Sequence, residues 1–501
     1  MKNSISKNTK QNIIFGYLSQ IGILILSLVG RRIFLRYLSI EYLGINGLYS
    51  NILSVLSLAE LGLDTALVYS LYKPVSENNV PLINSLLSYF KKIYTFLALG
   101  VFTLGLALIP FLGLIVKSNL NSTDLIIYYL LFLLNSVLSY FVAHKTALFS
   151  ACQEQRIQKL IFLLTNLILQ ILHIAVLIIW QNYRIYIITT VLVTVINNLI
   201  LSSVCNRLHP YLKTKTEKIP FETSSIKSKI QSTFIYKIGT VTITNTDNIL
   251  ISLLIGTAAV GIYSNYIAII SAVQGFISII STALISGVGN LGASRDKSRQ
   301  YEVFNVALLF YHFVSALGLA GFSLLFNDVI TVWLGVEYLL DLNTVFIIAF
   351  NFYITNAVSP VWMYREANGL FEKVKYLMLI RSAINLVLSI ILGYLLGLSG
   401  ILLATAISLL LTGFWYEPSI LFKKVFETGI WQYWKKQIKY FVLTATAFII
   451  NAFIFFALPA GTLFLIIKCV ILILITSLIF GIASFKSIEA KNLFSFLKSK
   501  K

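Results

Sequence analysis

Three groups of charged residues lie in otherwise apolar stretches and could carry chemistry. Arg31, Arg32 and Arg36 close the first long apolar stretch, and Arg32 and Arg36, four apart, share a helix face. A guanidinium stays charged and binds phosphate oxygens two at a time, so this cluster could hold an anion. Alternatively, the three could lay their stems on apolar surface and reach lipid headgroups. Glu60 and Asp64 are also four apart. Carboxylates in apolar helices are costly and mark ion or proton sites, so the pair could take H⁺ or Na⁺, or balance a cation on another helix. Asp247, between Thr246 and Asn248, is a further polar point for an ion or sugar, or for hydrogen bonds between helices. Arg365, Glu366, Arg381 and Glu417 have the composition of a gate or ion-pair network rather than of substrate ligands.

What positions these residues is set by composition. Of 501 residues 58% are hydrophobic and only 12% charged, with a mean hydropathy of +0.85. A soluble domain carries about 25% charged residues, so the chain is built for hydrocarbon. Apolar runs long enough to cross a bilayer recur from Asn12 to Phe485. They must be helices, because hydrocarbon offers backbone groups no outside partner. The runs predict an all-α integral membrane protein with about fourteen spans, near residues 12–31, 42–72, 88–116, 125–149, 160–181, 184–206, 232–255, 261–288, 304–326, 343–364, 374–397, 400–421, 438–458 and 462–485. The first span follows a basic segment with no small-residue cleavage site after it, and is read as retained.

Fourteen spans put both termini on one side. The loops of that side then hold 33 Lys and Arg, and the other side holds Arg31, Arg32, Arg36, Lys117, Arg184 and Lys468. The positive-inside rule places both termini on the cytoplasmic side of the membrane. The net charge of +20 therefore reads as topology determinants and anionic-lipid contacts, not as nucleic-acid binding. The arginine cluster runs against this trend.

The chain repeats itself at an offset of 214 residues. Gly47-Leu48-Tyr49-Ser50-Asn51 returns as Gly261-Ile262-Tyr263-Ser264-Asn265, and Ile157-Gln158-Lys159-Leu160 as Phe371-Glu372-Lys373-Val374. Two matches at one offset predict two six-helix bundles of like orientation, as in parallel-repeat transporters. The expected division is an N-terminal bundle over 1–206, a basic cytoplasmic linker over 207–230, a second bundle over 231–422, and helices 13 and 14 with a basic tail over 423–501.

Arg31-Arg32-Ile33-Phe34-Leu35, Glu41-Tyr42-Leu43-Gly44-Ile45-Asn46-Gly47-Leu48-Tyr49, Leu58-Ala59-Glu60-Leu61-Gly62 and Leu71-Tyr72-Lys73-Pro74 resemble the polysaccharide transport family. These are the Wzx-type repeat-unit flippases of the multidrug/oligosaccharidyl-lipid/polysaccharide (MOP) exporter superfamily. Thr246-Asp247-Asn248, Gly369-Leu370-Phe371 and Trp415-Tyr416-Glu417-Pro418 are similar to later blocks of the same family. The resemblance implies MATE/MurJ-like bundles around a cavity of alternating access, with a final helix pair offering a groove to a lipid tail. It implies a cargo of undecaprenyl-diphosphate-linked oligosaccharide for capsule or exopolysaccharide, with a polymerase and glycosyltransferases as pathway partners. Arg31, Arg32 and Arg36 would then meet the diphosphate. Rival readings are a teichoic acid or peptidoglycan precursor flippase, a cation-coupled multidrug exporter of the same fold, and an oligosaccharide polymerase. The outer loops near 117–124 and 327–342 are too short for the catalytic surface a polymerase needs, and the arginines would repel cationic drugs.

No cofactor is expected. There is no GxxxxGK[ST] loop for nucleotide, no HExxH and no metal spacing among Cys152, Cys205 and Cys469. Energy would come from an H⁺ or Na⁺ gradient or the membrane potential. His173 and His312 read as neutral, hydrogen-bonded residues, and Trp431, Trp434 and Tyr440 as an interfacial belt. In a cysteine-free background, a cysteine placed at Thr216 should react with an impermeant reagent only after permeabilisation. Labelling in intact cells would contradict a cytoplasmic 207–230.

Overall fold

A computed structural model describes Gly22 and residues 24–60, 63–214, 219, 221, 224–293, 297–459, 461–485, 487 and 489. No β-strand occurs among the described residues. The helices are α1 (24–37), α2 (Ile40–Leu56), α3 (Leu63–Ser76), α4 (Val80–Ala107), α5 (Leu112–Ile115), α6 (Ser122–Ala151), α7 (Gln155–Ile179), α8 (Tyr183–Leu208), α9 (Ser224–Leu254), α10 (Thr257–Ala293), α11 (Lys297–Trp333), α12 (Leu342–Ala367), α13 (Phe371–Leu411), α14 (Gly413–Leu421), α15 (Trp431–Phe456) and α16 (Thr462–Ser484). Ten stretches of the described residues are long and apolar enough to cross a membrane. The chain is a multi-pass membrane protein.

Polar residues between apolar runs start several of these helices. Asn79, Asn121, Asn182 and Asp341 cap α4, α6, α8 and α12, each side chain accepting a backbone N–H of the first turn at 2.8–3.3 Å. Such caps satisfy donors that helix geometry leaves orphaned. Gly397 breaks α13 with φ +61°, a conformation that favours glycine, at the boundary between the expected spans 374–397 and 400–421. Most of the first expected span, 12–31, lies outside the described residues. The second differs from expectation. Instead of one helix over 42–72, α2 ends at Leu56, a 3₁₀ turn covers Ser57–Glu60, and α3 begins at Leu63. The Ser57 N–H bonds back to Leu53 and Val55, tightening the chain out of the α-helix.

Packing divides the chain into two compact units, Met1–Gly261 and Ile262–Lys501. The first centres on Tyr49, Phe90, Tyr94, Tyr129 and Phe149, all fully buried. The second is built around α11 and α12, with α15 and α16 packed on α11. Both units pin a helix start with a tyrosine. The Tyr49 hydroxyl donates to the Leu125 carbonyl at 3.0 Å. In the second unit Tyr266, one turn beyond the repeat partner Tyr263, donates to Asn327 at 2.7 Å and accepts the Leu340 N–H at 2.9 Å.

The first unit is stitched around residues 115–119. Glu41 accepts from the Ser118 hydroxyl (2.5 Å), the Asn119 N–H (3.1 Å) and the Asn119 amide (3.0 Å). The Lys117 carbonyl accepts both the N–H and the hydroxyl of Thr257, and Ile115 accepts from Ser252. These bonds draw the start of α10 onto α2 until backbones touch. A Cβ on Gly44 would lie 1.8 Å from the Thr257 carbonyl oxygen, and one on Gly261 would lie 2.3 Å from that of Ile40. Gly44→Ala should therefore destabilise the protein by about 1–3 kcal/mol through overpacking. Gly47→Ala, which meets only side chains, Val260 at 3.3 Å and Asn248 at 3.5 Å, should cost less. Thermal unfolding in detergent checks the pair, and equal melting of Gly44→Ala and wild type would refute the close crossing.

Candidate functional site

The arginines of α1 do not converge. Exposed positions on α1 recur at Ile25, Val29, Arg32 and Arg36, one stripe that is apolar and then cationic. Arg31 lies off that stripe, half-buried, within electrostatic reach of the Tyr186 hydroxyl. Tyr186 stacks on His173 with ring centroids 3.7 Å apart, and His173 meets the Thr190 hydroxyl at 3.0 Å. Phe34, Tyr42, Tyr128 and Tyr183 complete an aromatic cluster beside α1. Arg184 and Asp124 pair at its rim, 2.6 Å apart. Arg31 is thus the arginine turned toward the Tyr186 hydroxyl, while Arg32 and Arg36 end a stripe whose apolar part suits lipid or an apolar cavity wall, with the Arg36 guanidinium 6.0 Å from the centre of the Tyr37 ring.

The break between α2 and α3 changes how the first two carboxylates relate. Glu60 ends the 3₁₀ turn and Asp64 opens α3, so they do not share one continuous helix face. Asp64 is exposed on the chain surface, and its charge interacts with Lys237 of α9. The Glu60 side chain lies outside what the structure describes. Asp247 is half-buried in the polar middle of α9, next to Asn248, whose amide packs near Gly47. Interrupted helices carrying charge are tolerated at membrane depth only where they line protein or water, the arrangement transporters use for ion sites.

In the second unit three of the four expected network residues come together. Arg365 and Glu417 form a buried ion pair, with 6% and 1% of their side chains exposed. The Trp362 indole N–H donates to the other Glu417 oxygen at 3.2 Å. Buried Arg381 also acts electrostatically on Glu417. Glu366 is exposed and outside this group. His312 is fully buried among Tyr353, Tyr440 and Gln437.

Sequence reasoning left Lys468 without a partner. It is buried on α16, bonded to Asp328 of α11 at 2.9 Å and set over the Phe455 ring. The two are 140 residues apart, and their only sequence signal was a charge inside an apolar run. Outside the spans, burial would raise the Glu489 carboxyl, but Lys436 at 2.6 Å and neighbouring hydrogen bonds outweigh it and hold it below its ordinary range. Among the described residues no cluster of three His, Cys, Asp or Glu could hold a metal ion.

Residues 9–285 match a family model described as polysaccharide biosynthesis protein. No curated protein sequence matches the chain. Among solved structures, the lipid II flippase MurJ in an inward closed conformation is similar, with a TM-score of 0.72 at 17% identity over 95% of this chain and all of that one. An inward-facing multidrug resistance MATE family transporter of the MOP superfamily gives a TM-score of 0.64 at 14% identity, covering 81% of this chain and 99% of that one. A MOP superfamily transporter from Pyrococcus furiosus gives 0.55 at 12% identity, covering 81% and 96%. The fold is that of the MOP superfamily.

The buried pair generates a stability prediction. Arg365→Ala or Glu417→Gln leaves an uncompensated buried partner and should cost about 3–5 kcal/mol, whereas Arg365→Met with Glu417→Leu should recover most of that loss. Melting of the purified variants measures this. Single variants as stable as wild type would show that the pair does not hold α12 and α14 together.

Proposed function

The chain belongs to the polysaccharide biosynthesis protein family, and we propose that it flips undecaprenyl-diphosphate-linked oligosaccharide repeat units across the bacterial cytoplasmic membrane for capsule, exopolysaccharide or a related surface polymer. The observation that carries this reading is the match of more than half the chain to that family on a MOP-superfamily fold. Two physical features support it. A diphosphate crossing hydrocarbon needs fixed cations, and Arg31 supplies one beside tyrosines suited to stack on sugar rings. Transport against a gradient needs a coupled ion, and Asp64, at a helix break and opposed by Lys237, is the carboxylate placed to exchange H⁺ or Na⁺. A cation-coupled drug exporter would share the fold, but the cationic end of α1 disfavours cationic cargo.

Polymer export in a strain lacking its own flippase tests the reading, with variants at matched membrane levels. Arg31→Ala removes a charge-assisted contact worth about 1.5–3 kcal/mol and should lower export strongly. Arg31→Lys should recover only part, since an ammonium lacks the bidentate fork. Asp64→Asn should reduce export while leaving the protein inserted. Full export by the triple Arg31/Arg32/Arg36 alanine variant would remove the diphosphate role, and no export by wild type across several lipid-linked glycans would remove the flippase reading.

A further inference from the structure

We propose that Lys145 is the centre of a phosphate-binding site at the end of the first unit where α6 and α8 finish. Lys145 lies six residues before the last residue of α6, so about 9 Å from the helix end at 1.5 Å per residue. Its ammonium donates to the Ser202 hydroxyl at 2.5 Å and to the Asn206 side-chain Oδ1 at 3.0 Å. Ser202 and Asn206 are four apart on α8 and present one face.

Both partners are neutral. They use two of the three ammonium protons and bring no countercharge. Among the described residues Lys145 has no carboxylate partner, unlike Lys468 or Lys436. The Cys205 thiol of α8 and a second cation, Lys91 of α4, both act on it electrostatically, in opposite senses. His144, 7% exposed and acted on by both lysines, has an Nδ1 without a hydrogen bond.

Lys91 adds a second positive charge to the field at Lys145, and an anion bound there would be attracted by both. A lysine that merely snorkels to the headgroups keeps a mobile tip, whereas this one is anchored by two acceptors on a neighbouring helix. The ligand must offer several oxygens and sit near headgroup depth. Lipid phosphates meet both conditions, and basic pockets between membrane helices bind them. The shared chemistry is a phosphoryl group on a lipid: either a resident anionic phospholipid or the diphosphate of the proposed cargo. Only the second source rests on the flippase reading.

The test is native mass spectrometry of the full chain in neutral detergent, titrated with undecaprenyl diphosphate, with phosphatidylglycerol and with uncharged undecaprenol. Wild type should hold at least one phosphate-bearing lipid tenfold or more tightly than undecaprenol. Lys145→Met should lose at least tenfold of that preference, Asn206→Leu and Lys91→Met several-fold, and Lys145→Arg should keep most of it. Preference for undecaprenyl diphosphate over phosphatidylglycerol identifies a cargo site, and equal retention of the two identifies a resident-lipid site. Lys91 is exposed, so its variant keeps the test valid even if Lys145→Met does not fold. Wild-type retention of undecaprenol equal to that of both phosphate lipids, or unchanged retention in Lys91→Met and Asn206→Leu, overturns the proposal. Failure of wild type to export polymer would remove the flippase reading and leave the binding result standing.

Discussion

Hydrocarbon supplies no hydrogen bonds and little solvation for charge, and the structure follows from that constraint. It forces the apolar runs into helices, and it favours partners for the charged groups inside them. Arg365 meets Glu417, Lys468 meets Asp328, and Lys145 meets Ser202 and Asn206. The loop over 115–119 gives its carbonyls to Thr257 and Ser252 and lends its side chains to Glu41. These particular bonds help fix which helices touch, since apolar surface facing lipid is nearly indifferent to its neighbour.

The two units meet the constraint differently. In the second, α11 and α12 are mostly buried, and the charged pairs around them tie α12 to α14 and α11 to α16. In the first, charge is left closer to the surface. Arg31 lies within electrostatic reach of the Tyr186 hydroxyl, Asp64 is opposed by the half-buried Lys237, and Lys145 rests on neutral acceptors. A rigid scaffold needs its charges cancelled, whereas a carrier of anions and ions needs some left available. On the proposed function, this contrast favours the first unit for contacts with cargo and coupling ion, and supports treating the Arg365–Glu417 group as structural.

Much of the fold was legible because apolar run length is a strong signal in a membrane chain. The break at Gly397 falls where two expected spans abut, and Asn and Asp caps stand where helices start. The break between α2 and α3 was not legible. Residues 42–72 are apolar on average, and the 3₁₀ turn after Leu56 leaves no mark in hydropathy. Arg365 and Glu417 were legible as neighbours only at the level of topology, which puts both at the same end of their spans. Lys468–Asp328 and Lys145–Ser202 were invisible, because they join residues 140 and 57 apart through packing alone. Glu41 stood out within a motif, but its bonds to Ser118 and Asn119 appear only once α5 returns the chain beside α2.

The central claim is that this chain moves a phosphate-bearing lipid-linked glycan across a bilayer. The most direct measurement is translocation by purified protein in sealed vesicles loaded with fluorescent undecaprenyl-diphosphate-linked oligosaccharide, with inner and outer leaflet pools resolved by a membrane-impermeant quencher. The account predicts protein-dependent transfer that weakens in Arg31→Ala and responds to an imposed H⁺ or Na⁺ gradient. Transfer no faster than in protein-free vesicles, under either gradient and with several glycans, would contradict it.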